Sequence, residues 1–265
     1  MSQAAIWIKN PLAIFAQDSD GGIVIKGQKI IELVPLGARP KSQIDEVYDA
    51  SGSVVLPGLI NTHHHFYQTL TRAYPEALNK ELFPWLKSLY KVWANIQPEM
   101  LAVSTELALS ELLLSGCTTA SDHHYLFPSQ LENAIDIQVE EAQKIGMRVV
   151  LTRGSMSLGE KDGGLPPQSV VQTKEQILTD SERLIKAYHE SEEGAMTQIA
   201  LAPCSPFSVT TDLMIETAEL AQQYDVRLHT HLAETIDEEN FCLDKFGLRT
   251  VDYLESVGWL SDRTW

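Results

Sequence analysis

The stretch Pro57-Gly58-Leu59-Ile60-Asn61-Thr62-His63-His64-His65 places three consecutive histidines directly after a short apolar run. Such a run is typical of a buried strand, so the histidines follow the carboxyl end of that strand. Alternate side chains of a strand share a face, and we expect His63 and His65 on one face and His64 on the other. Two imidazoles on one face can chelate one metal ion. The alternative, solvated histidines or an affinity tag, fits poorly with a mid-chain cluster.

Outward from this stretch, short apolar segments alternate with longer helical segments. Repeated strand–helix units predict a parallel sheet, wound by right-handed crossovers into an open sheet or a closed barrel. Two long insertions, 66–97 and 155–172, interrupt the alternation and are either substrate loops or surface decorations. The predicted strands are 53–60, 118–123, 148–153, 199–202 and 226–231, and the predicted helices are 99–115, 131–145, 173–189 and 212–223.

A second His-x-His pattern, at His229 and His231, ends the predicted strand 226–231, and Glu234 follows it. In parallel α/β arrays the carboxyl ends of the strands form the edge that carries active sites. A carboxylate there can shuttle a proton without being a metal ligand. Taken alone, this pattern also fits buried histidines bonded to carbonyl groups. Together with the first histidine cluster, it predicts a shared metal centre.

A third polar cluster, Ser121-Asp122-His123-His124-Tyr125, ends the strand predicted over 118–123 and belongs to the same edge. His123 and His124 are therefore candidates for holding a substrate or for supporting the metal ligands. The alternative is a hydrogen-bonded rim cluster without a chemical role.

The composition is that of an ordinary globular protein, with 44% hydrophobic residues and a formal net charge of -16 over 265 residues. An acidic surface repels phosphate, so we expect no nucleic-acid partner. No run approaches the roughly 20 apolar residues of a membrane helix, and we expect neither a membrane partner nor a signal peptide.

The cysteines are odd in number and far apart in the sequence, which argues against a disulfide framework and favours a location in the cytoplasm. They are Cys117, Cys204 and Cys242.

The pattern Pro57-Gly58…His63-x-His65, followed far downstream by His231-Leu-Ala-Glu234-Thr, resembles the amidohydrolase superfamily in its purine and triazine deaminase branch. The resemblance covers the whole chain. It is closest to the 8-oxoguanine deaminases, whose relatives include hydroxyatrazine ethylaminohydrolases and guanine deaminases. The segments that carry this closer similarity are 7–14, 122–128, 153–159 and 162–167.

On their own, residues 1–56 predict short strands joined by glycine turns, that is, hairpins in a small sheet. The resemblance implies that they are the N-terminal part of a small β-sandwich. It also implies that residues 57–265 belong to a TIM (β/α)8-type barrel of the α/β class, with about five of the eight strands present. Such a barrel takes about 250 residues by itself.

We therefore expect the chain to be a fragment that stops at Trp265, where a sixth strand should start. Five strands leave unpaired edges. Inward side chains such as Leu201 and Leu228 should also lack opposing layers. We expect either a homo-oligomer partner or a second segment to complete the barrel.

The resemblance also implies roles for individual residues. Glu234 would be the proton shuttle of a hydrolytic deamination. The family's remaining site residues, a histidine after strand six and an aspartate after strand eight, have no counterpart within the sequence. The ligands of one divalent metal ion, expected to be zinc, would be His63, His65 and His231.

The substrate implied by the resemblance is a small heterocycle, with 8-oxoguanine and water giving urate and ammonia. Gln68 matches a glutamine that binds the purine ring in guanine deaminases. Cys204 stands where those enzymes have an arginine, which favours the 8-oxoguanine group. A triazine or guanine aminohydrolase remains an alternative on the same scaffold, and an inactive, truncated metal-binding fragment is an alternative of another class.

Overall fold

The computed structural model describes residues 4–265, which form two compact units. The first unit takes the described residues up to Leu59 together with Glu192–Gly194, and the second takes Ile60–Ser191 and Ala195–Trp265. The predicted division into domains after residue 56 and the assignment of the first part to a β-sandwich stay predictions. Within the described residues, no helix has the length and apolar character needed to cross a membrane.

The first unit is built from short strands. They are β1 (Ala5–Lys9), β2 (Ala13–Ile14), β3 (Gly22–Lys26), β4 (Lys29–Val34), β5 (Glu46–Asp49) and β6 (Val54–Val55). Four of them form a sheet in the order β4-β3-β1-β5, and β2 pairs in parallel with β6. The β3–β4 hairpin matches the glycine-turn pattern of the sequence. Ala5, Val24 and Val34 form a small buried apolar cluster in this unit.

The strand predicted over 53–60 is wrong as a single element. The structure has two strands there, β6 and β7 (Leu59–Asn61), and they belong to different sheets. Pro57 lies between them and has no backbone N–H to donate to a ladder, so a continuous strand cannot form across it. The apolar run therefore changes sheets midway.

The second unit alternates strands and helices around a four-stranded sheet. The sheet order is β10-β9-β8-β7, and β8, β9 and β10 pair in parallel. Its further elements are β8 (Cys117–His124), β9 (Arg148–Ser155), β10 (Thr197–Pro203), α1 (Leu82–Trp93), α2 (Pro98–Leu114), α3 (Ala134–Ile145), α4 (Lys174–Tyr188), α5 (Thr211–Tyr224), α6 (Ile236–Phe246) and α7 (Thr250–Ser256).

The four predicted helices correspond to α2–α5 and are confirmed, although their ends shift by a few residues. Local chemistry sets these ends. A capping box between Thr173 and Gln176 begins α4. Gly146, in the left-handed conformation with φ 77°, ends α3 as the sequence predicts.

The fifth predicted strand, 226–231, is not a regular strand. Leu228 instead makes single parallel bridges to Leu201 and to Thr264. Its neighbour in the sheet ends at Pro203, which has no N–H to continue the ladder, and the Thr230 hydroxyl donates to the Pro203 carbonyl at 2.8 Å. The segment keeps its predicted place beside β10 without forming a full strand.

The expectation that Leu201 and Leu228 lack opposing layers is also wrong. Both side chains are almost fully buried, at 0% and 1% exposure, within one large apolar cluster. Leu228 is held on its other side by Trp265, whose backbone N–H donates to the Leu228 carbonyl at 3.1 Å. These two side chains therefore gain the full benefit of burial within the described residues.

A buried arginine ties the outer part of this unit together. Arg153, at the end of β9, donates to Asp180 on α4 at 2.9 Å and to Gln172 at 2.8 Å. Its guanidinium stacks on the Phe127 ring at 3.8 Å. Burial lowers the pKa of Arg153 to about 10, which leaves the side chain charged at neutral pH. One side chain thus joins a strand, a helix and two loops.

The close approach of β8 and β9 at Gly154 gives a test of this packing. A Cβ atom at Gly154 would lie 2.1 Å from the backbone oxygen of His124, which cannot move without disturbing β8. We expect Gly154→Ala to lower the free energy of unfolding by about 3 kcal/mol, the upper end of typical overpacking. Urea unfolding followed by circular dichroism measures this.

Gly52→Ala is the matched control, since a Cβ atom there meets nothing within 4 Å and no left-handed φ is involved. Equal stability of the two variants would contradict the packing described for Gly154.

Candidate metal centre

Histidines from three parts of the chain meet at the carboxyl edge of the sheet. His63 and His65 follow β7, His123 lies near the end of β8, and His229 and His231 follow the Leu228 bridge. His65 keeps an extended backbone, with φ -130° and ψ 91°, so His63 and His65 lie side by side with ring centroids 4.8 Å apart. The strand-like alternation expected from the sequence therefore continues past the end of β7.

The three expected ligands converge. The candidate ligand atoms of His63, His65 and His231 all lie within 4.8 Å of one another. His65 Nδ1 is 2.7 Å from the carbonyl oxygen of His123, and His231 Nδ1 is 2.8 Å from that of Cys204. A carbonyl only accepts, so each Nδ1 carries the hydrogen and each Nε2 presents a lone pair.

These two Nε2 atoms are 3.2 Å apart. Two lone pairs at that distance repel each other unless a cation or a proton lies between them. The donor set therefore fits a divalent metal ion, and three imidazole nitrogens are typical ligands of zinc. The carbonyl partners of His65 and His231 fix the ring orientations in the way that outer partners orient metal ligands.

Loss of hydration lowers the pKa of each of these imidazoles, although His63 is the most exposed of the three. Desolvation, with a further contribution from His231, lowers the pKa of His65 well below its usual 6.5. Desolvation also lowers the pKa of His231 and of His63. The lowered pKa values leave the lone pairs free at neutral pH, as metal ligation requires.

A second trio shares His63. His63, His123 and His229 also bring candidate ligand atoms within 4.8 Å of one another, and His63 Nδ1 lies 2.9 Å from His229 Nε2. Neither His65 nor His231 belongs to this trio. The first trio fits a metal better, because two of its rings have their tautomers fixed by carbonyl groups.

A cavity of about 200 Å³ opens beside the first trio. Besides the trio, three further residues that the sequence singles out line it, namely Gln68, Cys204 and Glu234. Glu234 is an exposed residue, yet partial desolvation raises the pKa of its carboxyl group. Burial raises the pKa of the Cys204 thiol to about 12, so the thiol stays protonated.

His123 and His124 are not among the residues that line this cavity, and their role in substrate binding stays a prediction. The His123 ring is fully buried and stacks on the ring of His231 at 4.4 Å, behind the trio. His124 points to the other face of β8, where its Nε2 donates to the Leu126 carbonyl at 2.7 Å. His123 thus contacts a ring of the trio, as the alternative role of supporting the metal ligands would require, whereas His124 is buried on the other face.

Sequence reasoning missed the aromatic walls of the cavity. Trp85, Tyr125 and Phe207 line it, together with Leu82, Leu86 and Ser205. Trp85 lies in the aromatic insertion 66–97, and Tyr125 is the last residue of the third polar cluster, so both belong to segments that the sequence marks. Phe207 is far from the other two in the sequence, and no local pattern links it to them.

The residues from 54 to 265 match the family described as "Amidohydrolase family". The chain belongs to this family. The amidohydrolase match covers the whole second unit, including all the histidines of the site.

Individual relatives sharpen the comparison. This amidohydrolase is 64% identical to an 8-oxoguanine deaminase of Pseudomonas aeruginosa, over 98% of this chain and 58% of the relative. It is 32% identical to a hydroxydechloroatrazine ethylaminohydrolase of Pseudomonas sp. (strain ADP), over 93% of this chain and 51% of the relative. The chain thus spans 51% to 58% of the length of these curated relatives.

A solved structure gives the fold. The amidohydrolase superposes on an atrazine chlorohydrolase of Arthrobacter aurescens TC1, described as complexed with zinc, with a TM-score of 0.90 and 31% identity. The match covers 98% of this chain and 60% of that one. The strands and helices of the second unit therefore form part of a TIM (β/α)8-type barrel, as the sequence predicts.

The convergence of the first trio predicts its effect on metal binding. His231→Asn and His65→Asn should each weaken zinc binding by more than about 100-fold, because even loss of a supporting partner costs about 10–100-fold. Competition with a chromophoric chelator measures the affinity.

His189→Asn is the matched control, since His189 bonds to Ile199 and lies outside both histidine trios. Unchanged zinc affinity in His231→Asn would remove this residue from the ligand set.

Proposed function

We propose that this chain carries the metal-binding part of a deaminase that hydrolyses 8-oxoguanine to urate and ammonia. The observation that carries the proposal is the convergence of His63, His65 and His231 beside a cavity whose wall includes Glu234. The 64% identity to an 8-oxoguanine deaminase supports the choice of substrate.

The three imidazoles would hold one divalent ion, which we propose to be zinc. When bound, such an ion acts as a Lewis acid and lowers the pKa of water to about 7. The carbonyl oxygens of His123 and Cys204 keep the rings of His65 and His231 in the orientation that this binding needs. The protein therefore contributes a site that is already oriented before the ion arrives.

Glu234 would move the protons. Its carboxylate would accept a proton from the attacking water and deliver it to a ring nitrogen, then assist the departure of ammonia. Desolvation raises the pKa of this carboxyl group, and a general acid–base group works best when its pKa approaches the working pH. Its position on the wall of the cavity that the trio also lines supports this role.

The other walls suit a flat heterocycle. Trp85, Tyr125 and Phe207 offer aromatic surface for a planar ring. The Gln68 amide has two N–H donors and an acceptor oxygen, which can pair with the alternating N–H and carbonyl groups of a purine edge. Cys204, which lines the cavity as a neutral thiol, stands in the place where an arginine is expected for guanine.

The substrate proposal predicts a preference. We expect the protein to deaminate 8-oxoguanine with a kcat/KM at least about 10-fold above that for guanine, since about 1.4 kcal/mol of selective contact gives that ratio. Parallel measurements on both purines and on a hydroxytriazine decide it. A higher kcat/KM for guanine, or for the triazine, would replace the proposed substrate.

The role of Glu234 predicts a specific loss. Glu234→Gln should lower kcat by about 10²–10⁴-fold, as expected for removal of a general acid or base, and should leave the zinc content unchanged. Steady-state kinetics and metal analysis of the same sample measure both quantities.

Glu219→Gln, at an exposed position of α5, is the matched control and should behave like the wild type. A kcat near the wild-type value in Glu234→Gln would exclude Glu234 as the proton shuttle.

A further inference from the structure

The turn that carries Glu234 has an unusual backbone. Ala233, directly before it, adopts a left-handed conformation with φ 57°. A residue other than glycine, asparagine or aspartate rarely takes this conformation, because its Cβ atom approaches the following carbonyl oxygen. Contacts with neighbouring residues must therefore stabilise the turn between His231 and helix α6 (Ile236–Phe246) in this conformation.

A buried carboxylate holds it. Glu238, in the first turn of α6, is fully buried and accepts two backbone hydrogen bonds from the turn. The N–H of Ala233 donates to Oε1 at 3.0 Å, and the N–H of Glu234 donates to Oε2 at 2.7 Å. Each oxygen of the planar carboxylate thus accepts a hydrogen bond from one of two consecutive amides. Both bonds can form together only when the turn keeps one geometry.

This arrangement differs from an ordinary helix cap. Thr235 is the N-cap residue of α6, yet its side chain accepts no capping hydrogen bond. Glu238 reaches back past Thr235 to residues outside the helix. The position of a carboxylate in the first turn is favourable, because the helix dipole is positive there. The carboxylate therefore acts on the turn rather than on the helix end.

We propose that Glu238 is a positioning residue that sets the geometry of Glu234 relative to the metal-ligand trio. The inference rests on the proposed function, in which Glu234 transfers protons. Two bonds to the backbone of residues 233 and 234 fix the Cα–Cβ direction of Glu234 and its distance from His231, three residues earlier. Glu238 does not line the cavity, so it acts only through the turn.

The decisive variant is Glu238→Gln. Glutamine keeps the shape but has one acceptor oxygen, and its NH₂ group faces a backbone N–H. We expect kcat for 8-oxoguanine to fall about 10–100-fold, because displacement of a reacting group by about 1 Å costs up to about 10²-fold. KM and zinc content should stay within about twofold of the wild type, since the trio and the cavity walls other than Glu234 are untouched.

Glu239→Gln is the matched control. Glu239 lies beside Glu238 in the same first turn but bonds to Arg249 and Thr250 instead of the 233–234 turn. It should lose some thermal stability and keep its kcat. A merely structural role for Glu238 would give the same result in Glu238→Gln, and that outcome would overturn the proposal.

A second pair of variants tests the turn without changing Glu238. Ala233→Gly should keep its kcat, because glycine adopts φ 57° readily. Ala233→Val should lose kcat in the same way as Glu238→Gln, because a β-branched side chain resists that conformation. Equal kcat in the two variants would contradict the positioning role, even if Glu238→Gln fails to fold.

Hydrogen exchange gives a readout that does not depend on activity. The amides of Ala233 and Glu234 should exchange at least about 10-fold faster in Glu238→Gln, since both lose a charged acceptor. Unchanged exchange would overturn the inference by itself. A wild-type protein that deaminates neither purine nor triazine would contradict the proposed function, whereas an active wild type with unaltered kcat in Glu238→Gln would contradict the positioning role alone.

Discussion

The site depends on one electrostatic constraint, the approach of two imidazole lone pairs. His65 and His231 each have Nδ1 committed to a backbone carbonyl, so their Nε2 atoms face each other at 3.2 Å with no hydrogen to share. The fold maintains this unfavourable contact because one carbonyl lies in β8 and the other directly after β10, and the sheet holds these two strands on either side of β9. A cation between the rings would replace this repulsion with attraction. The arrangement of the two rings therefore favours a metal ion even before one binds.

The same strand ends explain what the sequence could predict. The histidine motifs are local, and they follow apolar strands whose order in a parallel α/β array is restricted, so their meeting at one edge was predictable from the sequence. Helices α2–α5 were also predictable, because glycines and a capping box mark their ends locally. Gln68 and Cys204 required the resemblance to a family, since no spacing points to them.

The remaining differences come from interactions between distant residues. The strand at 226–231 fails because its neighbour reaches Pro203, which a local pattern of apolar residues does not reveal. His124 lies in the core because β8 alternates faces one residue beyond the end that the sequence predicts. Phe207 reaches the cavity from a loop whose path depends on the packing of the whole unit. Tertiary context, rather than propensity, decides all three.

Arg153 belongs to the packed framework of this barrel and not to the wall of the cavity. It links β9, α4 and two loops from a buried position, and it does not line the cavity. Cavity residues such as Trp85, Gln68 and Cys204 lie on segments that do not take part in those bonds. Their side chains can therefore change without breaking the bonds that Arg153 makes. Such a division lets one architecture acquire new ring specificities through a few exchanges, and relatives named for purine and triazine chemistry share this fold.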